Sequence, residues 1–345
     1  MARLSALVVF ILVVATRPQS DKPRPAEPVE PFTCECYDGV KIVGDFYPPG
    51  RGRGQRGPCV ILLHPIGPGR GTSSRRDFGT LPRRLQEEGM AVVTFDFRGY
   101  GESVNVDPNK FLLEAANQSR GSKDRPAMKL DYHDFRSIRD FEMLANDLVA
   151  VKVWLNGKNN AKVCNAHNVA LVGVEQAGLV GLIWLVNEHQ DLNRTSDLAN
   201  VRNNKAERYE GEDVASVVWV STGDRLGNDR LESASLQRWL NQLREKKTQT
   251  LAVVSENDAI GKAYWDKAQN WIKTARDKDV LKATRLQRVK GTALTGLKLL
   301  ENEAFELTPE VIQFLNETLE ANNRPWEESK GSKQPTPINL RGLGL

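Results

Sequence analysis

The sequence predicts an α/β fold in which apolar, β-branched strands alternate with helices along one large domain. Three segments carry that expectation. Ala170 to Leu182, ALVGVEQAGLVGL, runs from a β-branched strand through small residues into an apolar helix. Cys59 to His64, CVILLH, passes into a Pro/Gly loop, PIGPGRG, and then into a helix rich in Arg and Leu that ends at Gly89. Thr250 to Gly261, TLAVVSENDAIG, is a third strand, with the helical segment KAYWDKAQNWIKTARDK behind it. Short apolar runs that each feed a helical pattern favour a parallel sheet covered by helices.

The remaining elements fall into place between these. Residues 90–103, MAVVTFDFRGYGES, give a strand and a Gly-rich turn. DFEMLANDLVAVKVWL, residues 140–155, sets its apolar residues at helical spacing. Strand VASVVWVST and helix LESASLQRWLNQLREKK precede the strand at Thr250, and ELTPEVIQFLNETLEAN closes the domain, with Thr308 as its start and Pro309 at the first helical position. Two insertions interrupt the alternation. Residues 104–138 form a long loop over the C-terminal ends of the strands, where Phe111, Tyr132, His133 and Phe135 either contact a ligand or pin the loop to the body, and residues 190–213 form a polar excursion. There is no internal repeat.

Taken in order, the loop PIGPGRG, the turn DFRGYGES, the segment GVEQAG and the strand ending in Asp258 resemble the α/β-hydrolase fold over about residues 33–320. The resemblance implies a doubly wound, mostly parallel sheet of about eight strands with helices on both faces and a loop or cap insertion. It places Glu175 at the nucleophile's position on the strand-turn-helix elbow, Asp258 as the acid, and Thr295, in RLQRVKGTALTGLKLL, where the family carries its histidine. The four histidines are His64, His133, His167 and His189, so none follows Asp258. In the family's order of nucleophile, acid and histidine, two of three members are missing.

A serine needs an imidazole to take its proton, and the imidazole needs a carboxylate to hold its tautomer. An ionised Glu175 could attack carbon directly, but without a base to drive water onto the ester a covalent intermediate would form once and stall. At a helix N-terminus, free N–H groups and the helix dipole favour an anion, so the carboxylate is expected to fold back onto the amides of an oxyanion hole. Glu175 thus reads as a capping carboxylate, as a binding group for a cation or amine together with Asp258 and Glu256, or as a catalytic group. Candidate ligand-binding residues are His64, Gly67, Glu175, Gln176 and Asp258. His64 matches the family's oxyanion-loop histidine, a structural position. The reading is a non-catalytic protein that holds a small ligand or partner at the former pocket; the alternative is an ester or amide hydrolase using Glu175 or Asp258 as a base. A structural protein of the envelope, contacting an anionic polymer, is a third option.

The chain has 345 residues, 40% of them hydrophobic, enough to bury a substantial core. Forty-eight basic and 44 acidic residues are interspersed, a balance too even to indicate nucleic acid. Basic clusters at 51–56, 70–76 and 246–247 read as solvated surface, although Arg70, Arg75 and Arg76 flank the pocket loop and would attract an anion. Residues 1–15 have Arg3 before an apolar run and small residues at Val13 and Ala15, as a secretory signal would; an uncleaved anchor is the alternative. The run is too short for a stable membrane span, and the expected location is periplasmic or secreted. Residues 16–32 read as a Pro-rich linker, 33–321 as the folded domain and 322–345 as a disordered tail. With export, Cys164 is expected to pair with Cys34 or Cys36 while Cys59 packs as a small hydrophobe. No Cys/His spacing suggests zinc, and no cofactor is indicated.

Overall fold

The computed structural model describes residues 27–50, 52–120, 129–190, 210–274, 284–330, 335 and 337–338. Eight strands form one sheet: β1 (Glu30–Glu35), β2 (Lys41–Tyr47), β3 (Pro58–Leu63), β4 (Ala91–Phe95), β5 (Asn165–Val174), β6 (Val214–Val220), and two more after a short hairpin of β7 (Arg225–Leu226) and β8 (Asp229–Arg230). Those two are β9 (Gln249–Ser255) and β10 (Thr284–Val289), and the sheet order is β1-β2-β4-β3-β5-β6-β9-β10. The β1–β2 and β2–β4 pairs are antiparallel, and every other pair is parallel. This is the order of the α/β-hydrolase fold, and the chain has that fold.

The central strands are buried on both faces, which is why they read as continuous apolar runs. Alternate residues of β3 divide between the two cores: Cys59, Ile61 and Leu63 on one side, Val60 and Leu62 on the other. The first core takes in α3 (Ile138–Met143), α4 (Ala145–Asn160), α5 (Gln176–Gln190) and α6 (Ser233–Glu245), with Trp184, Trp219 and Trp239 fully buried. The second packs α1 (Leu81–Glu87), α8 (Gly296–Leu300) and α9 (Leu307–Asn322) on the opposite face. The insertion contributes α2 (Pro108–Phe111), and α7 (Gly261–Thr274) follows β9. No helix among the described residues is long and apolar enough to cross a membrane.

Several sequence expectations are corrected. Residues 30–32, assigned to the linker, are strand, because they pair with Asp45, Phe46 and Gly44 of β2. The last helix starts at Leu307, and the Thr308 hydroxyl donates to Leu300 O instead of capping it. Part of the tail is held in place. Asn165 Nδ2 donates to Arg324 O, Asn159 Nδ2 to Glu327 O and Asn160 Nδ2 to Ser329 O, while Trp326 Nε1 donates to Asn159 O. Farther on, Ile338 is buried and its N–H donates to Asn146 Oδ1, at the other end of α4. A row of asparagine amides supplies the partners that an extended segment lacks internally. All four cysteines are free thiols, so the expected pairing of Cys164 with Cys34 or Cys36 is not made. Cys36 Sγ donates to Asp147 Oδ1 at 3.4 Å, and Cys164 lies beside Cys59, whose thiol is raised by burial first and by that neighbour second. The signal segment 1–15 and most of the 190–213 excursion lie outside the described residues.

Candidate functional site

Glu175 sits between the end of β5 and the start of α5, where the sequence predicts an elbow. Glu175 has φ 55°, the left-handed region that a non-glycine residue enters at a cost of about 1–3 kcal/mol. Its N–H donates to Val220 O, and its carbonyl accepts from Gly178 N. Small residues are required around this bend. A Cβ on Gly173 would come within 2.6 Å of Gly178 Cα, and one on Gly178 within 2.2 Å of Thr222 Oγ1. A residue in the left-handed region is thus held between strand and helix by small neighbours on both sides.

The Glu175 carboxylate does not fold back onto the elbow amides. Arg70, from the PIGPGRG loop 105 residues away, reaches it in a fork: Nε donates to Oε2 at 2.7 Å and Nη2 to Oε1 at 2.5 Å. A planar guanidinium offers the carboxylate two directed, charge-assisted bonds, stronger than the diffuse pull of a helix end. The Glu175 side chain is 16% exposed and that of Arg70 40%. Arg75 and Arg76, expected to draw an outside anion, are engaged internally. Arg75 pairs with Asp45, Asp96 and Glu102, and Arg76 with Glu102.

Asp258 and Thr295, the other two positions expected from the resemblance, are separate from this pair. Asp258 is 3% exposed and caps α7, its Oδ1 accepting from Ile260 N at 3.1 Å and Gly261 N at 2.8 Å. Its Oδ2 is buried with no hydrogen-bond partner among the described residues. β6 lies between β5 and β9, so Glu175 and Asp258 follow strands two spacings apart, about 10 Å. Glu256, the other acidic candidate, accepts from Gly291 N through Oε2 and faces Arg288. Thr295 sits half-buried at the N-cap of α8 without a side-chain capping bond. It is the next residue, Gly296 (φ 57°), that meets the elbow: a Cβ there would lie 2.4 Å from Glu175 Oε1. Gly296 N donates to Ser221 Oγ at 2.9 Å, which fixes that approach.

None of the four histidines is hydrogen-bonded to Glu175 or Asp258. His64 is fully buried, its Nδ1 donating to Pro65 O at 2.9 Å and its Nε2 accepting from Phe97 N at 3.1 Å. Burial lowers its pKa, and with both ring nitrogens committed to backbone it has neither a free lone pair nor a path to the pocket. Its candidacy as a ligand contact is thereby corrected to a structural role. His167 lies at the far end of β5 on Asp213, and His189 at the far end of α5. His133 is exposed on the insertion and held by Asp131 at 2.5 Å. Of the aromatics in that loop, Phe111 and Phe135 are buried and pin it, while the Tyr132 ring closes on Gly71.

Gly67 and Gln176 do come together beside the elbow. Gly67 has φ 111°, and a Cβ on it would fall 2.7 Å from the Gln176 amide. Its N–H donates to Tyr100 Oη at 2.9 Å. Gln176 Oε1 accepts from Gly227 N at 2.8 Å, and Nε2 donates to Gly227 O at 3.3 Å. The structure therefore groups Gly67, Arg70, Glu175, Gln176 and Gly296, and leaves His64 and Asp258 outside. Arg70 as the partner of Glu175, and Gly296 against it, were not readable as such: the sole signal was a basic residue on the pocket loop.

No family model matches the sequence, and no curated protein matches it. Solved structures do. An α/β serine hydrolase without a lid from Xanthomonas campestris is 14% identical, with 86% of this chain and 97% of that chain covered at a TM-score of 0.44. An esterase from Exiguobacterium antarcticum is 14% identical, with 82% and 98% covered and a TM-score of 0.45. The esterase domain of a Rhodothermus marinus protein is 13% identical, with 85% and 100% covered and a TM-score of 0.47. These activities belong to the proteins so named.

Proposed function

We propose that this chain is a non-catalytic protein on the α/β-hydrolase fold, exported by its N-terminal segment, that holds a small ligand or partner at the former catalytic pocket. The observation that carries this reading is the Arg70 fork on Glu175. The residue at the nucleophile's position is a carboxylate already neutralised by an internal cation, and no imidazole is placed to activate it or to drive water onto an ester. A serine hydrolase stripped of its triad keeps only about 10³–10⁴-fold over water, from binding and the oxyanion hole. Here Gly67 N, on the loop that would line such a hole, is bonded to Tyr100 Oη.

A second reading rests on one observation of its own. Asp258 Oδ2 is buried without a partner among the described residues, and an unsatisfied buried acceptor calls for a role. On that reading the chain is an ester or amide hydrolase with a carboxylate-based site. Hydrolysis of short- and medium-chain activated esters by the purified protein, beside Glu175→Gln and Asp258→Asn, separates the two. Background rates in all three proteins are expected. Turnover in the wild type that either substitution abolishes would establish the hydrolase.

A further inference from the structure

We infer that the Glu175 carboxylate is a receptor for an organic cation, a guanidinium or primary ammonium group, and that Arg70 is its resident, exchangeable occupant. This rests on the non-catalytic reading and names the ligand class of the same site.

The two halves of the pair differ in how firmly the chain holds them. Glu175 is fixed. Its φ of 55° is set by the elbow, its N–H and C=O are bonded to Val220 and Gly178, and Gly296 closes against its carboxylate. Arg70 is also bonded through its backbone, its N–H donating to Gly67 O and its C=O accepting from Ser73 N, but it reaches Glu175 with a long side chain from a loop containing Gly67 (φ 111°), Gly69 (φ 77°) and Gly71, and a Cβ on Gly69 would meet nothing within 4 Å. Its side chain is 40% exposed against 16% for Glu175. When the pair opens, it is therefore the arginine that leaves and the carboxylate that stays.

The vacated carboxylate dictates what replaces Arg70. Both of its oxygens take hydrogen bonds from the guanidinium. A part-buried anion stripped of its donors is left desolvated and unsatisfied, so a replacement must bring a positive charge and two N–H donors. Guanidinium and primary ammonium groups meet that requirement. A metal ion does not, because one carboxylate is too few ligands for a divalent cation and the described residues contain no group of three acidic, His or Cys side chains able to hold one. The Tyr132 ring lies on Gly71, next in the chain to Arg70.

The test is calorimetric titration of the full chain with ethylguanidinium, its neutral isostere ethylurea, and propionate. The proteins are wild type, Arg70→Ala, Glu175→Gln and the double substitution. Ethylguanidinium is expected to bind Arg70→Ala at least about tenfold more tightly than wild type, since the resident competitor is gone. Ethylurea should not bind, and the double variant should lose the gain. Thermal unfolding of each protein verifies folding, and Arg70→Gln, which keeps most of the side-chain volume, serves if the alanine variant does not fold. Equal affinity in wild type and Arg70→Ala, or a gain that survives Glu175→Gln, overturns the inference. So does a gain of propionate affinity in Glu175→Gln without any cation gain in Arg70→Ala, because that pattern makes Arg70 the receptor of an anion. Ester turnover measured on the same samples separates the failures: turnover defeats the non-catalytic reading, whereas absent cation binding without turnover defeats this inference alone.

Discussion

Arg98 and Arg70 both sit in Gly-containing turns that follow a strand, and both grip carboxylates from distant parts of the chain. Their surroundings differ sharply. Arg98, Asp38 and Asp147 have side chains at 0% exposure, with Asn117 donating to Asp38 and the Cys36 thiol to Asp147. Burial raises the pKa of Asp147; Asp38 feels the same burial, but Arg98 outweighs it and its pKa is lowered. This cluster ties the turn between β1 and β2, the turn after β4 and the start of α4 together, and it can release nothing without stranding charge in the core. The Arg70 pair has solvent on one side and joins a strained elbow to a glycine loop. The same fork thus acts as a structural tie where it is dry and as an exchangeable contact where it is wet.

The largest effect should come from breaking the dry fork. Arg98→Met leaves two buried carboxylates without their cation, and a loss of about 3–5 kcal/mol is expected in denaturant unfolding. A loss below about 1 kcal/mol would mean the cluster is not the tie described here.

A buried histidine gives the next effect. His189 is 6% exposed, with neither ring nitrogen hydrogen-bonded to a described residue, and its pKa falls from 6.5 to about 4, through burial first and then the charges of Lys246 and Arg324. The unfolded chain therefore binds a proton that the folded chain refuses. Stability should be full above pH 6.5 and decline as the pH falls toward 4, by on the order of 3 kcal/mol. His189→Leu should flatten that decline; an unchanged slope would assign it to other groups.

Removing the docked tail by truncation after Asn322 exposes the site of Ile338 and the asparagine amides along α4. A cost of about 1.5–3 kcal/mol is expected from the Ile338 burial alone, read as a lower unfolding midpoint. No change would return the tail to a dispensable role. The smallest effect is at the wet fork, where Glu175→Gln should alter stability by less than about 1 kcal/mol. A loss as large as that at Arg98 would erase the contrast between the two sites.

Much of the fold was legible because it is written in local runs. The β-branched stretches at Cys59, Ala170 and Thr250 lie in the sheet interior, where burial on both faces demands such residues. The elbow was legible for the same reason: small residues must sit where strand and helix cross. What the sequence did not disclose depends on partners far along the chain. Arg70 and Glu175 are 105 residues apart, and nothing in the PIGPGRG loop says which anion its arginine will find. His64 looked available until its two nitrogens were traced to Pro65 and Phe97. The tail is Pro-, Gly- and Lys-rich and has no period of its own, because its hydrogen-bond partners are supplied by asparagines of α4 and β5. Cys164 stands beside Cys59, and the expected pairing with Cys34 or Cys36 is not made.

The central claim is that the residue at the elbow is held by Arg70 and does not attack substrate. Intact-mass measurement of the protein after prolonged incubation with a small epoxide tests it most directly, since an attacking Glu175 would open the ring to a hydroxyalkyl ester, the ring oxygen taking a proton from water, and without a base to drive water onto that ester it would stay so. The protein mass should remain unchanged at all times. A hydroxyalkyl ester mapped to Glu175 would contradict the account and make the carboxylate a nucleophile.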